Sequence, residues 1–289
     1  MKTWLLLTVS VFSLLLVPQS AALTYTTIDY PGATETYGTG INSNGDVVGL
    51  YDDPANVFHG FLFSNGIFTA IDPPGSIYTN PFDINDLGEI VGYYVTSDNI
   101  GHGFILQGST YTTLDAPGNS SSTIAYSVNN AGEIVGSYTD QTNVAHGFIL
   151  QNGVWTTVDL PHATESFITG INNNGDMFGS YCAINSGHTI RHAFLLSKGV
   201  FHVLVPPKND LVNATGKIND PGEAVETLNT WEGQTPLVFV PPDILVLLKN
   251  ISTSYPSKYM TAQGINGKGE IVGIYLDSQF VNHAYVAKR

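Results

Sequence analysis

The sequence predicts an all-β protein, a six-bladed β-propeller of four-stranded antiparallel blades, on three observations. A unit recurs from Ile41-Asn42, Ile84-Asn85, Val128-Asn129, Ile171-Asn172, Ile218-Asn219 and Ile265-Asn266, at spacings of 43, 44, 43, 47 and 47 residues. A self-similar period in the forties marks propellers and related arrays. Within each unit, short alternating apolar runs are separated by Gly- and Asn-rich turns, and no helical period is sustained. Finally, the last unit stops before its fourth strand, and a matching strand stands at the start of the mature chain.

Taken in order, residues 1–22 read as a signal peptide. Lys2 supplies the positive end, Leu5 to Val17 form an apolar run shorter than a membrane span, and Ser20-Ala21-Ala22 offers a small-residue cleavage site. The rest, residues 23–289, reads as one propeller domain outside the cytoplasm, secreted or periplasmic. Thr24-Tyr25-Thr26-Thr27-Ile28-Asp29 matches the fourth strand Tyr111-Thr112-Thr113-Leu114-Asp115 of the second unit. It is therefore expected to complete the C-terminal blade and to close the ring, removing two sheet edges at once.

The second unit shows the plan. Thr79 to Asn85 is its first strand, Glu89 to Tyr94 the second, His102 to Gln107 the third and Tyr111 to Asp115 the fourth. Hairpin signals recur at Asn44-Gly45, Asn65-Gly66, Asn152-Gly153 and Asn174-Gly175. The fifth unit is degenerate, with Glu226 in place of the usual Gly and Thr235-Pro236-Leu237 in place of His-Gly-Phe. Its Ile244 to Leu248 run is apolar enough to require burial.

Composition narrows the partners. The formal charge is −14, and residues 23–190 hold 16 Asp and Glu without one Lys or Arg. Such a field repels nucleic acid and anionic membrane surfaces, which need positive charge to replace counterions. No segment after the leader is apolar for long enough to span a bilayer. The single Cys182 excludes an intramolecular disulfide and reads as a buried thiol.

The turn Ile-Asn-x-x-Gly-Glu-Ile-Val-Gly, the strand opening His-Gly-Phe or His-Ala-Phe, and the closing Asp-x-Pro-Gly recur together. In this combination the chain resembles the extracellular HAF-repeat family of bacteria, most closely over Ile84 to Gly118 and Val128 to Leu160, with His192-Ala193-Phe194 as the literal triplet. The resemblance implies a secreted or surface-attached bacterial protein and transfers no catalytic residues.

Several groups of residues suggest chemistry. Six positions before each Ile/Val-Asn stand Glu35, Tyr78, Ser122, Glu165, Val212 and Tyr259. In a six-bladed ring Glu35 and Glu165 face each other across the axis, with Tyr78 and Tyr259 at the same mouth. Carboxylates among aromatic platforms suit a saccharide. If the protein is an enzyme, Glu35 and Glu165 are the candidate acid and base.

His59, His102, His146, His192 and His283 open the third strands of different blades, so they read as structural. Their expected partners are the acids Asp46, Glu89, Glu133, Asp176 and Glu270, or a backbone carbonyl. The Asn42 to Asp46 turn and its copy at Asn172 to Asp176 partly resemble a calcium loop, but a hairpin accounts for every residue. Asp52, Asp53, Asp98, Asp140 and Asp277, on the same face as the loops of Asp29, Asp72, Asp115 and Asp159, are weak candidates for Ca²⁺. A zinc set of His162, Cys182 and His188 has nothing in its spacing to support it.

The leading expectation is a binding or scaffold module for carbohydrate or a cell-surface partner. A glycoside hydrolase or polysaccharide lyase is the alternative, and a purely structural surface protein a third. A lyase needs cationic residues for its uronate, and residues 23–190 have no Lys or Arg.

Overall fold

The computed structural model describes residues 7–9, 23–118, 120–185, 188–204, 211–212, 216–230, 233–240, 244–247 and 259–288. Every regular element among them is a strand. Repeat one forms a sheet in chain order from Glu35–Ile41 through Val47–Asp52 and Phe58–Ser64 to Ile67–Ile71. Repeats two and three run likewise from Ser76–Ile84 to Thr110–Leu114 and from Ser122–Val128 to Val154–Thr157. One parallel pairing, Ser122 with Gly101, joins these two into a single eight-stranded sheet.

Repeat four runs from Glu165–Ile171 to Val200–Leu204. Its outer edge also pairs in parallel with Leu7–Val9, the described part of the expected leader; residues 1–6 and 10–22 lie outside the described residues. At the other end of the chain, Thr24–Ile28 pairs antiparallel with Asn282–Lys288, from Thr24 with Lys288 to Ile28 with Ala284. The N-terminal strand thus supplies the fourth strand of the last repeat, and those two edges are covered.

Each sheet buries both faces against its neighbours, which is why the second strands read as near-continuous apolar runs. Val48 and Ile71 of repeat one pack with Ile84, Ile90 and Phe104 of repeat two. Val272, Ala284 and Val286 of repeat six pack with Ile41 and Phe61 of repeat one, so the succession returns to its start. Burial of each such side chain contributes about 1.5–3 kcal/mol.

The Ile-Val-Gly of the motif has a steric cause. Gly136 lies opposite Phe148, and a Cβ there would meet the Ile124 carbonyl oxygen at 2.0 Å and the Phe148 ring at 2.7 Å. The same glycine-under-ring pairing recurs as Gly49 with Phe61, Gly92 with Phe104, Gly179 with Phe194 and Gly273 with Tyr285. In repeat five both members change together: Glu226 pairs with Leu237. The apolar run after it forms strand Ile244–Leu247 against Leu237–Val240, with its side chains outside those described.

Candidate functional site

One end of the sheet assembly is organised by the asparagine of each Ile/Val-Asn. Asn42 Nδ2 donates to the Asn85 carbonyl, Asn85 to Asn129, Asn129 to Asn172, Asn172 to Asn219, Asn219 to Asn266, and Asn266 back to Asn42, at 2.9–3.2 Å. The same Nδ2 groups donate to the repeats' own carboxylates, for instance Asn85 to Glu89 at 2.6 Å and Asn129 to Glu133 at 2.7 Å. Each Oδ1 accepts from its own turn, as Asn42 does from the amides of Asn44 and Asp46. These turns spend their oxygens internally, as a hairpin does.

This corrects the expectation for the histidines. The acids Asp46, Glu89, Asp176 and their equivalents hold asparagines at the hairpin end, whereas the histidines open the third strands at the opposite end of the sheets. There His59 Nδ1 lies 3.0 Å from Asp72, His102 2.8 Å from Asp115, His146 2.7 Å from Asp159, and His283 3.0 Å from Asp29. On the other ring nitrogen, Asp53, Asp140 and Asp277 approach His59, His146 and His283 at 3.4–3.6 Å. Each ring also lies against the tyrosine opposite it, as His283 against Tyr275 at 5.0 Å. Among the described residues His192 keeps only its tyrosine, Tyr181, and burial lowers its pKa. The sequence explains why: His59, His102 and His146 have an aspartate thirteen residues on and His283 meets Asp29 of the N-terminal strand, but His192 has Val205 at that offset.

The loop aspartates proposed for Ca²⁺ are turn organisers. Asp53 Oδ1 accepts from the amides of Ala55 and Val57, and Asp140 and Asp277 repeat this with Thr142 and Val144 and with Gln279 and Val281. Asp98 accepts from Thr96 Oγ1 at 2.5 Å. These bonds, led by the Val144 amide, hold the Asp140 carboxyl at about 2. Among the described residues no group of three or more His, Cys, Asp or Glu is placed to hold a metal ion. Of the zinc set, Cys182 is buried, His162 is exposed in a turn, and the His188 side chain lies outside those described.

His146 carries a pH dependence. Burial lowers its pKa, but Asp159 and Asp140 together outweigh burial and raise it. The native state then binds the proton more tightly than the unfolded chain. The resulting stabilisation is complete below the unfolded value of about 6.5 and is lost as pH rises through the folded pKa. An NMR titration is expected to place the His146 midpoint above that of the Asp140→Asn/Asp159→Asn variant; coincident midpoints would contradict it.

The mouth candidates fall into separate surroundings. Glu35 accepts from Tyr37 Oη, and Asn282 Nδ2 of repeat six approaches it at 3.4 Å. Glu165 lies opposite Cys182 on repeat four. The exposed Tyr259 bridges to Gln234. Tyr78 joins an aromatic run, Tyr37–Phe58–Tyr78–Tyr93, with centroid separations of 6.2, 5.7 and 6.2 Å.

A rule emerges from these positions. At four of the six junctions the residue just before the third-strand histidine, or its equivalent, meets the residue six before the Ile/Val-Asn of the next repeat. The pairs read Phe58/Tyr78, Gly101/Ser122, Ala145/Glu165, Arg191/Val212, Gln234/Tyr259 and Asn282/Glu35. Ring contact, bridge, bridge and hydrogen bond mark the first, second, fifth and sixth. At the first junction a cleft of about 310 Å³ opens, lined by Phe58, His59, Asp72, Ser76, Ile77 and Tyr78 among others. At the second, Tyr93 fills the space: a Cβ on Gly101 would lie 2.2 Å from its Oη.

Sequence reasoning missed a buried charge cluster beside the asparagine cycle. The residues just before Ile/Val-Asn are Gly40, Asp83, Ser127, Gly170, Lys217 and Gly264. Asp83 and Lys217, from repeats two and five, approach to 3.9 Å, Ser127 Oγ donates to Asp83, and Lys217 Nζ donates to the Tyr126 carbonyl. Burial raises the Asp83 pKa despite Lys217, and lowers Lys217 to about 8 despite Asp83. Desolvation therefore outweighs the attraction for both partners. The visible signal was that three of these six positions are not glycine.

The sequence matches no family model and no curated protein. Solved structures resemble it. The β-propeller domain of the trilobed protease from Pyrococcus furiosus has a TM-score of 0.54 at 7% identity, covering 88% of this chain and 97% of that chain. A mutant of AofleA from Arthrobotrys oligospora has a TM-score of 0.56 at 11% identity, covering 94% and 88%. Aleuria aurantia lectin, described as a six-bladed β-propeller with a novel fucose recognition mode, has a TM-score of 0.51 at 12% identity, covering 88% and 93%. At these identities the likeness is one of fold, and the fold of this chain is a β-propeller.

Proposed function

We propose that the protein is a secreted binding module of the HAF-repeat kind, a closed six-bladed propeller that engages extracellular carbohydrate through the end bearing its junction pairs. The observation that carries this reading is the contrast between the two ends. At the hairpin end the asparagine cycle repeats unchanged through all six units, as a frame does. At the other end equivalent positions hold Phe, Gly, Ala, Arg, Gln and Asn against Tyr, Ser, Glu, Val, Tyr and Glu. Varied side chains on a rigid repeated frame are how repeat proteins build recognition surfaces. The lectin among the structural neighbours shows that the fold can carry sugar recognition; fold alone does not assign it.

The mature protein, residues 23–289, is to be applied to an array of neutral and acidic glycans, with thermal shift as confirmation. Retention of neutral glycans with a raised melting temperature is expected, since a ligand of the native state stabilises it by mass action. No retention of any glycan would remove the carbohydrate reading.

A further inference from the structure

We infer that the cleft between repeats one and two binds one uncharged terminal sugar ring of a glycan, seated by its apolar face on Phe58 and Tyr78. This rests on the carbohydrate-binding reading above and names the site and the part of the ligand.

The walls are aromatic. The Phe58 and Tyr78 rings stand 5.7 Å apart at 58°, both half-buried, and Ile77 is 49% exposed beside them. A sugar presents C–H groups on one face and hydroxyls at its rim, so it needs such a wall and polar groups at the edge. Here those groups are Asp72, His59 and Ser76.

Charge selects a neutral ligand. No Lys or Arg occurs in residues 23–190 to attract an anion. Against a cation, the carboxylates are already engaged: His59 lies 3.0 Å from Asp72 and 3.6 Å from Asp53. Size selects an end over an internal stretch. About 310 Å³ lies at the lower limit for small-molecule sites, roughly 300–1,000 Å³, and suits a chain terminus.

Position makes the cleft singular among the described junctions. Phe58 stands where the other repeats carry Gly101, Ala145, Arg191, Gln234 and Asn282. Of the six aligned junction pairs, this is the one in which both members are aromatic.

The test is calorimetric titration of the mature protein with methyl glycosides of glucose, galactose, mannose, N-acetylglucosamine and fucose. At least one is expected to bind with one site per chain. Phe58→Ala and Tyr78→Ala should each weaken it about tenfold or more, while Tyr78→Phe, which keeps the ring, should stay within about threefold. Melting curves of the variants are expected to match the wild type, because both side chains are partly exposed. Binding that survives Phe58→Ala but is lost in Glu35→Gln/Glu165→Gln would overturn the cleft and leave the carbohydrate reading standing. Glycan retention on the array without methyl-glycoside binding would do the same. Silence in both experiments would end the two together.

Discussion

Lys217→Met is expected to destabilise the protein by about 3–5 kcal/mol, because it leaves Asp83 buried without its cation. The double variant Asp83→Leu/Lys217→Met should instead lie within about 1 kcal/mol of the wild type or be stabilised by up to about 4 kcal/mol. The pair spends more on desolvation than it recovers: burial pushes the Asp83 carboxyl up and Lys217 down to about 8, each against its partner's attraction. The double-mutant cycle measured by urea unfolding isolates the coupling. The single variant also has a pH signature. With Lys217 gone, the buried carboxyl takes a proton more readily when folded than when unfolded. Its deficit should therefore shrink as pH falls through the raised folded pKa. Equal midpoints for wild type and Lys217→Met would show that the cluster is not coupled in solution.

Asn172→Asp should cost about 2–4 kcal/mol at neutral pH. Asn172 Nδ2 donates 3.0 Å to the Asn219 carbonyl and 3.3 Å to Asp176, and both bonds require the amide. A carboxylate in its place turns two attractions into repulsions in a buried position. Asn173→Ala, one residue on and exposed, loses surface bonds to Asp220 and from the Asn130 amide and should cost below about 1 kcal/mol. The comparison is read from denaturation midpoints at constant slope. Similar losses in the two variants would contradict a frame built on the buried asparagines. Acidification should partly restore Asn172→Asp, since the protonated carboxyl regains one donor.

The two results bear on different parts of the design. The asparagine cycle ties each repeat to the next at every junction, including the sixth to the first through Asn266 and Asn42. The Asp83–Lys217 contact instead crosses from repeat two to repeat five, the repeat that departs most from the pattern. A pair whose desolvation exceeds its attraction adds little stability.

The sequence by itself determined the strands, their order and the completion of the last sheet by Thr24–Ile28. Each follows from local alternation and from a period repeated often enough to align one unit on another. It also showed that Gly136 and its equivalents recur, although the reason, the first-strand carbonyl oxygen and the Phe ring that crowd the position, came from the packing. Only the tertiary structure decided which acid each polar residue meets. His146 and Glu133 lie close in sequence, yet they sit at opposite ends of their sheet, so the histidine pairs with Asp159, thirteen residues on, and Glu133 holds Asn129. Phe58 was unremarkable in the chain, and Asp83 and Lys217 are 134 residues apart. Their significance comes from the inter-repeat junction and from the surroundings of the asparagine cycle, and both exist only once the sheets are packed side by side. Periodic patterns encode what a strand does along its own length; contacts between sheets depend on distances the pattern does not contain.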